Sequence, residues 1–171
     1  MPADSLTAVA HVQLAEGYRF TATFPKVPGA APITLDEAAP LGTGAGPTPT
    51  DMLGAAVGAC LSASLTLCLN EAHLEPDAVN AHVTTHMERN EAGRLRVGRI
   101  DVELTPCFAI SDEGRFERCK AAYQDMCVVT SSIRRGIQVN VRMARCGDDV
   151  KRVAREASPR TASAVGIASP R

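Results

Sequence analysis

The chain has 171 residues, a formal net charge of −1 and 45% hydrophobic residues, which suits one domain with a substantial core. Tryptophan is absent and aromatic residues make up only 4%, which argues against a binder that stacks rings on sugars or single-stranded nucleic acid. A charge this close to zero also argues against a general electrostatic grip on nucleic acid.

The first ten residues, MPADSLTAVA, lack the basic start and long apolar stretch of a signal peptide, so a cytoplasmic location is expected. In that reducing compartment the six cysteines are expected as buried, catalytic or metal-binding thiols, not as a disulfide framework. Apolar side chains fall on alternate positions from Leu6 to Leu14, Glu16-Gly17 suits a turn, and Tyr18, Phe20, Ala22 and Phe24 alternate again. This pattern predicts an antiparallel hairpin with one buried face. Ile33 to Asp36 adds a short strand, and the Gly-, Pro- and Ala-rich stretch from Glu37 to Pro47 reads as an ordered loop. Thr48-Pro49 then supplies an N-cap with proline in the first helical position, and Asp51 lies near the positive end of the helix dipole. A helix is expected from there to about His73.

Inside that helix, MLGAAVGACLSASLTLCL (Met52 to Leu69) runs eighteen residues without a carboxylate, guanidinium or amine. A membrane span needs about 20 predominantly apolar residues. This run is shorter, and half of it is Gly, Ala, Ser and Thr, so no membrane insertion is expected. A helix apolar all round is also what burial in a core requires. Gly54 and Gly58 form a small-xxx-small pair that lets another backbone approach closely. One small domain offers too little structure to surround such a helix, so a partner subunit is expected to help cover it.

A second hairpin follows. Val79, Ala81, Val83, Thr85 and Met87 share a face, Asn90 to Gly93 turns, and Arg94 to Leu104 returns. The apolar phase shifts between Val97 and Ile100, which predicts a bulge near Gly98. Glu113 to Met126 reads as a helix burying Phe116, Cys119 and Tyr123. A shorter helix from about Cys127 ends in Arg134-Arg135-Gly136, a basic last turn with a glycine cap. Ile137, Val139, Val141 and Met143 form a final strand. Residues 1–146 are thus expected as one domain and 147–171 as a flexible tail.

No CxxC pair occurs, which argues against a structural zinc site. Cys60 and Cys68 lie eight residues apart on one helix, roughly 12 Å along its axis. That is beyond the reach of a disulfide. Cys127 sits at a helix start, where free amides would stabilise a thiolate. His82 and His86, four apart on a strand, are about 13 Å apart and read as solvated side chains, not as a metal pair.

Two stretches carry a family resemblance. PTPTDMLGAAVGACLSASL around Cys60 and CVVTSSIRRGIQVNV around Cys127 resemble the two motifs of the OsmC/Ohr family, thiol-dependent peroxidases, at the expected separation of about 65 residues. The loop LDEAAPLGTGAGPTP also looks like that of one OsmC-like subgroup. The resemblance spans roughly residues 6 to 143. It implies an α+β, OsmC-like fold with antiparallel sheets, a long buried central helix and an intertwined homodimer whose sites lie at the subunit interface.

It further implies Cys60 as the peroxidatic thiolate and Cys127 as the resolving thiol, an organic hydroperoxide as substrate, and a dithiol reductant, lipoyl protein in the Ohr branch. No cofactor and no metal is implied. The family pairs its reactive cysteine with a glutamate and an arginine. The glutamate position falls on Thr50, with Asp51 beside it as substitute. The arginine position falls near Ala15, and Arg19 is the nearest candidate. The rival reading is a non-enzymatic dimer of the same fold that senses oxidants or binds a small apolar ligand.

Overall fold

Residues 7–108 and 113–144 are described by a computed structural model of the protein. Position 6, where the first strand was expected to begin, and the expected tail at 147–171 lie outside them. The first hairpin pairs β1 (His11–Glu16) with β2 (Arg19–Thr23) in antiparallel register, Val12 opposite Ala22 and Leu14 opposite Phe20. Gly17 makes the turn at φ +55°, a left-handed conformation that glycine adopts without a Cβ penalty. β3 (Ile33–Asp36) adds to the other edge of β2 and completes a three-stranded sheet.

The expected buried face of this hairpin is covered only in part: Ala22 of β2 is buried, but the β1 side is open. Every residue of β1 is exposed, Val12 by 57% and Leu14 by 63%. The physical reason is positional: the first sheet has no extensive packing against any helix or against the second sheet.

Asp36 organises the loop that follows. Its buried carboxylate accepts hydrogen bonds from the Thr43 hydroxyl (2.6 Å), the Thr43 amide (3.0 Å) and the Ala45 amide (3.0 Å). These bonds, led by that of the Thr43 hydroxyl, favour the ionised carboxylate and lower its pKa. The loop then delivers Thr48 as N-cap of α1 (Pro49–Glu71). Thr48 and Asp51 form a reciprocal capping box: the Asp51 amide donates to Thr48 Oγ1, and the Thr48 amide donates to the Asp51 carboxylate.

The far end of α1 closes with His73 at φ +56° in the position usually taken by glycine. The Leu74 amide donates to the Leu69 carbonyl and the His73 amide to the Asn70 carbonyl, completing the paired bonds of a Schellman motif. Helix α1 is long and apolar enough to cross a membrane by composition, with a mean hydropathy of 1.9 in its most apolar window. Here it forms the core of the described chain. Val57, Leu61, Leu65 and Leu69 are fully buried, packed with Ile100, Val102 and Leu104 of the second sheet and with Phe116 and Tyr123.

That sheet begins with β4 (Ala78–Arg89) antiparallel to β5 (Leu95–Cys107). His86 opposes Arg99 and Met87 opposes Val97, so Gly98 is the extra residue and the expected bulge is present. Gly54 and Gly58 admit β4: a Cβ on Gly58 would lie 2.7 Å from Val83 Cγ2, and one on Gly54 would lie 2.8 Å from Thr85 Oγ1. The element these glycines accommodate is therefore a strand of the same chain.

Two helices follow, α2 (Glu113–Met126) and α3 (Val128–Ile133), then β6 (Gln138–Met143). β6 joins β5 in parallel, Val102 opposite Val141. The expected sheets were antiparallel throughout. The parallel pair arises because α2 and α3 form a crossover that brings the chain back in the direction of β5.

The sheet face opposite α1 is polar. His86 is half-buried there, its Nε2 2.8 Å from Asp101 Oδ2 and 3.2 Å from the Arg99 guanidinium, so it is held in a network and not merely solvated. Asn140 donates to the other Asp101 oxygen at 2.9 Å. Among the described residues, no group of three or more His, Cys, Asp or Glu is arranged to hold a metal ion.

Candidate active site

Cys60 lies midway along α1, half-buried, where α3 packs against that helix. Its neighbours are the Cys127 thiol and the amides of Val128 and Val129, all within hydrogen-bonding reach. Cys127 is the N-cap of α3 and is fully buried. Its sulfur accepts from the Thr130 amide at 3.4 Å and lies 2.9 Å from the Thr130 hydroxyl, itself fully buried. The first turn of any helix leaves amides without intrahelical partners. Here the Thr130 amide serves the Cys127 sulfur, and those of Val128 and Val129 lie near enough to Cys60 to pull its pKa down.

Both cysteines are free thiols. Of the two, Cys60 is the more accessible and so the one an incoming molecule meets. Burial raises its pKa first, and the hydrogen bond and charge of Cys127 raise it further; the Val129 and Val128 amides pull the other way without reversing the shift. The arrangement can carry out two-electron thiol chemistry, one sulfur reacting and the other closing on it.

The other two expected site residues are not brought to Cys60 within the chain. Arg19 forms an ion pair with Glu16 on the first hairpin, outside the packed interfaces of α1. Asp51 is spent in the capping box at the start of α1, nine residues and about 13 Å from Cys60. Neither is among the main influences on the Cys60 thiol. Sequence reasoning missed Thr130 and the α3 amides as partners of the sulfurs. The signal was present: a cysteine at a helix start, followed three residues on by threonine, has the spacing of a capping interaction.

The remaining cysteines have separate surroundings. Cys68 and Cys119 are buried and free, and face each other between α1 and α2. Cys107, at the end of β5, is disulfide-bonded. This departs from the expectation of thiols throughout.

Solved structures with the same fold are numerous at low identity. An OsmC-like protein of unknown function from Vibrio cholerae superposes with a TM-score of 0.70 at 13% identity, over 81% of this chain and 99% of that one. An OsmC-like protein from Mycoplasma pneumoniae gives 0.70 at 17%, over 82% and 98%. The organic hydroperoxide resistance protein OhrB of Bacillus subtilis gives 0.60 at 17%, over 82% and 99%. At these identities the likeness establishes the fold alone. No protein of curated function matches the sequence significantly. Residues 42–142, from the loop before α1 through most of β6, match the family model described as OsmC-like protein. That match covers more than half of the sequence and includes both Cys60 and Cys127, and so the chain belongs to the OsmC-like family.

Proposed function

We propose that the protein is a thiol-dependent peroxidase that reduces organic hydroperoxides through Cys60 and Cys127. The observation that carries the reading is the contact between two free thiols on different elements, one half-buried and one fully buried. The Cys60 thiolate attacks the outer peroxide oxygen. The O–O bond breaks, the alcohol leaves with a proton, and Cys60 becomes a sulfenic acid. The Cys127 sulfur then attacks the Cys60 sulfur, water departs, and an intrachain disulfide forms. An external dithiol reopens it by exchange.

Names of two neighbours agree with this reading: OhrB, and an organic hydroperoxide resistance protein from Legionella pneumophila. A homodimer belongs to the proposal, since Val12, Leu14 and Leu67 are each more than half exposed in the single chain. A cytoplasmic location is proposed with it on the four free thiols, against which the disulfide at Cys107 counts.

A second reading, an oxidant sensor or binder of a small apolar ligand, is favoured by one observation: the Cys60 thiol is raised in pKa within the chain, which slows attack. Turnover decides between them. With cumene hydroperoxide and a dithiol, the peroxidase gives sustained alcohol release that Cys60→Ser abolishes. Oxidation of Cys60 once per chain without turnover would leave the sensor reading.

A further inference from the structure

A second pair of thiols lies where the C-terminal half of α1 packs on α2. The Cys119 thiol donates to the Cys68 carbonyl at 3.0 Å and is also within hydrogen-bonding reach of the Cys68 sulfur. Both cysteines are free, 8% and 3% exposed. They form one wall of a cavity of about 410 Å³ whose rim includes Glu71, His73, Arg115 and Arg118. Glu71, His73 and Arg118 are exposed, so the cavity opens to solvent. Arg115 and Arg118 both line its mouth, so an anionic visitor meets guanidiniums there.

We propose that Cys68 and Cys119 are a second redox-active dithiol, separate from Cys60 and Cys127, oxidised to an intrachain disulfide by a small anionic disulfide that enters through the arginine-lined cavity. Cys68 is the attacking sulfur, being the more exposed of the two. Cys119 is the poorer nucleophile, pushed up to about 12 by burial and by the neighbouring Cys68. The Cys68 thiolate attacks one sulfur of the small disulfide. A mixed disulfide forms, the small S–S bond breaks, and the departing thiolate takes up the proton that Cys68 released. The Cys119 sulfur then attacks the Cys68 sulfur, and its proton leaves with the second small thiol. Two protein thiols are oxidised and one small disulfide is reduced to two thiols.

The test uses the full chain carrying Cys60→Ser and Cys127→Ser, reduced and then exposed to glutathione disulfide. Peptide mapping by mass spectrometry is expected to find Cys68 and Cys119 linked. Cys119→Ala in that background is expected to hold glutathione on Cys68 instead. Arg118→Gln is expected to slow linkage several-fold with glutathione disulfide and to leave it unchanged with uncharged hydroxyethyl disulfide. The chain with all its cysteines present is mapped in parallel, so the reading does not depend on any variant folding. Cys68 and Cys119 both recovered as free thiols would overturn the proposal, as would a mixed disulfide on Cys68 that never closes. Equal slowing of both reagents by Arg118→Gln would overturn the anionic-entry part.

Discussion

Cys60 is set by what surrounds its sulfur. A half-buried thiol beside a second thiol ionises reluctantly, and two amides only partly offset this. Its pKa therefore lies above the ordinary thiol value of 9.0, so at neutral pH less of it is thiolate than in an ordinary cysteine. Alkylation of Cys60 by iodoacetamide should climb steadily with pH and reach half its maximum above that value. Because Cys127 raises the pKa, Cys127→Ala should speed Cys60 alkylation at pH 7. Stopped-flow or peptide-resolved labelling reads both, and a midpoint at or below the ordinary thiol value would refute the account. The identities of Cys60 and Cys127 were legible in the sequence, since each sits in a distinctive motif. The engagement of Asp51 with Thr48 and of Arg19 with Glu16 is local, each pair three residues apart, and it competes with the partnership with Cys60 that the family resemblance implies.

At the scale of elements, local rules placed the boundaries closely. Thr48-Pro49 starts α1, the phase shift at Gly98 is a bulge, and α2 spans Glu113–Met126 as its periodicity required. What the two glycines of α1 admit is a tertiary matter. Gly58 meets Val83, a β-branched side chain with little freedom to turn aside. Gly58→Ala gains helix propensity of about 1 kcal/mol. It also forces a contact of 2.7 Å, and such overpacking costs roughly 1–3 kcal/mol. The net expectation is destabilisation of about 1 kcal/mol, read by urea unfolding. Adding Val83→Ala should recover much of the steric part. Stabilisation by Gly58→Ala alone would show that β4 yields more easily than its packing implies.

At the scale of the molecule, apolar surface remains exposed among the described residues. On α1 the exposed residues Ala56, Ala59, Ala63 and Leu67 form a stripe at helical spacing, and β1 is exposed along its whole length. Small side chains in such a row let a second helix approach closely. A homodimer at micromolar concentration is expected by analytical ultracentrifugation. Ala59→Glu, which places a carboxylate in the stripe, should shift it to monomer with helical content retained. A monomer in the unmutated protein, with its secondary structure intact, would refute the dimer.

The order of elements, most of their limits, the central helix and the two motif cysteines can be read from the residues in line. These follow from side-chain periodicity, capping residues and glycine positions, all of which act over a few neighbouring residues. That β6 runs parallel to β5, that the first turn of α3 approaches Cys60, and that Cys119 meets Cys68 became visible only in the folded chain. Each of these depends on where a crossover or a helix pair brings distant parts of the chain together. Packing between elements fixes that placement, and no local pattern encodes it.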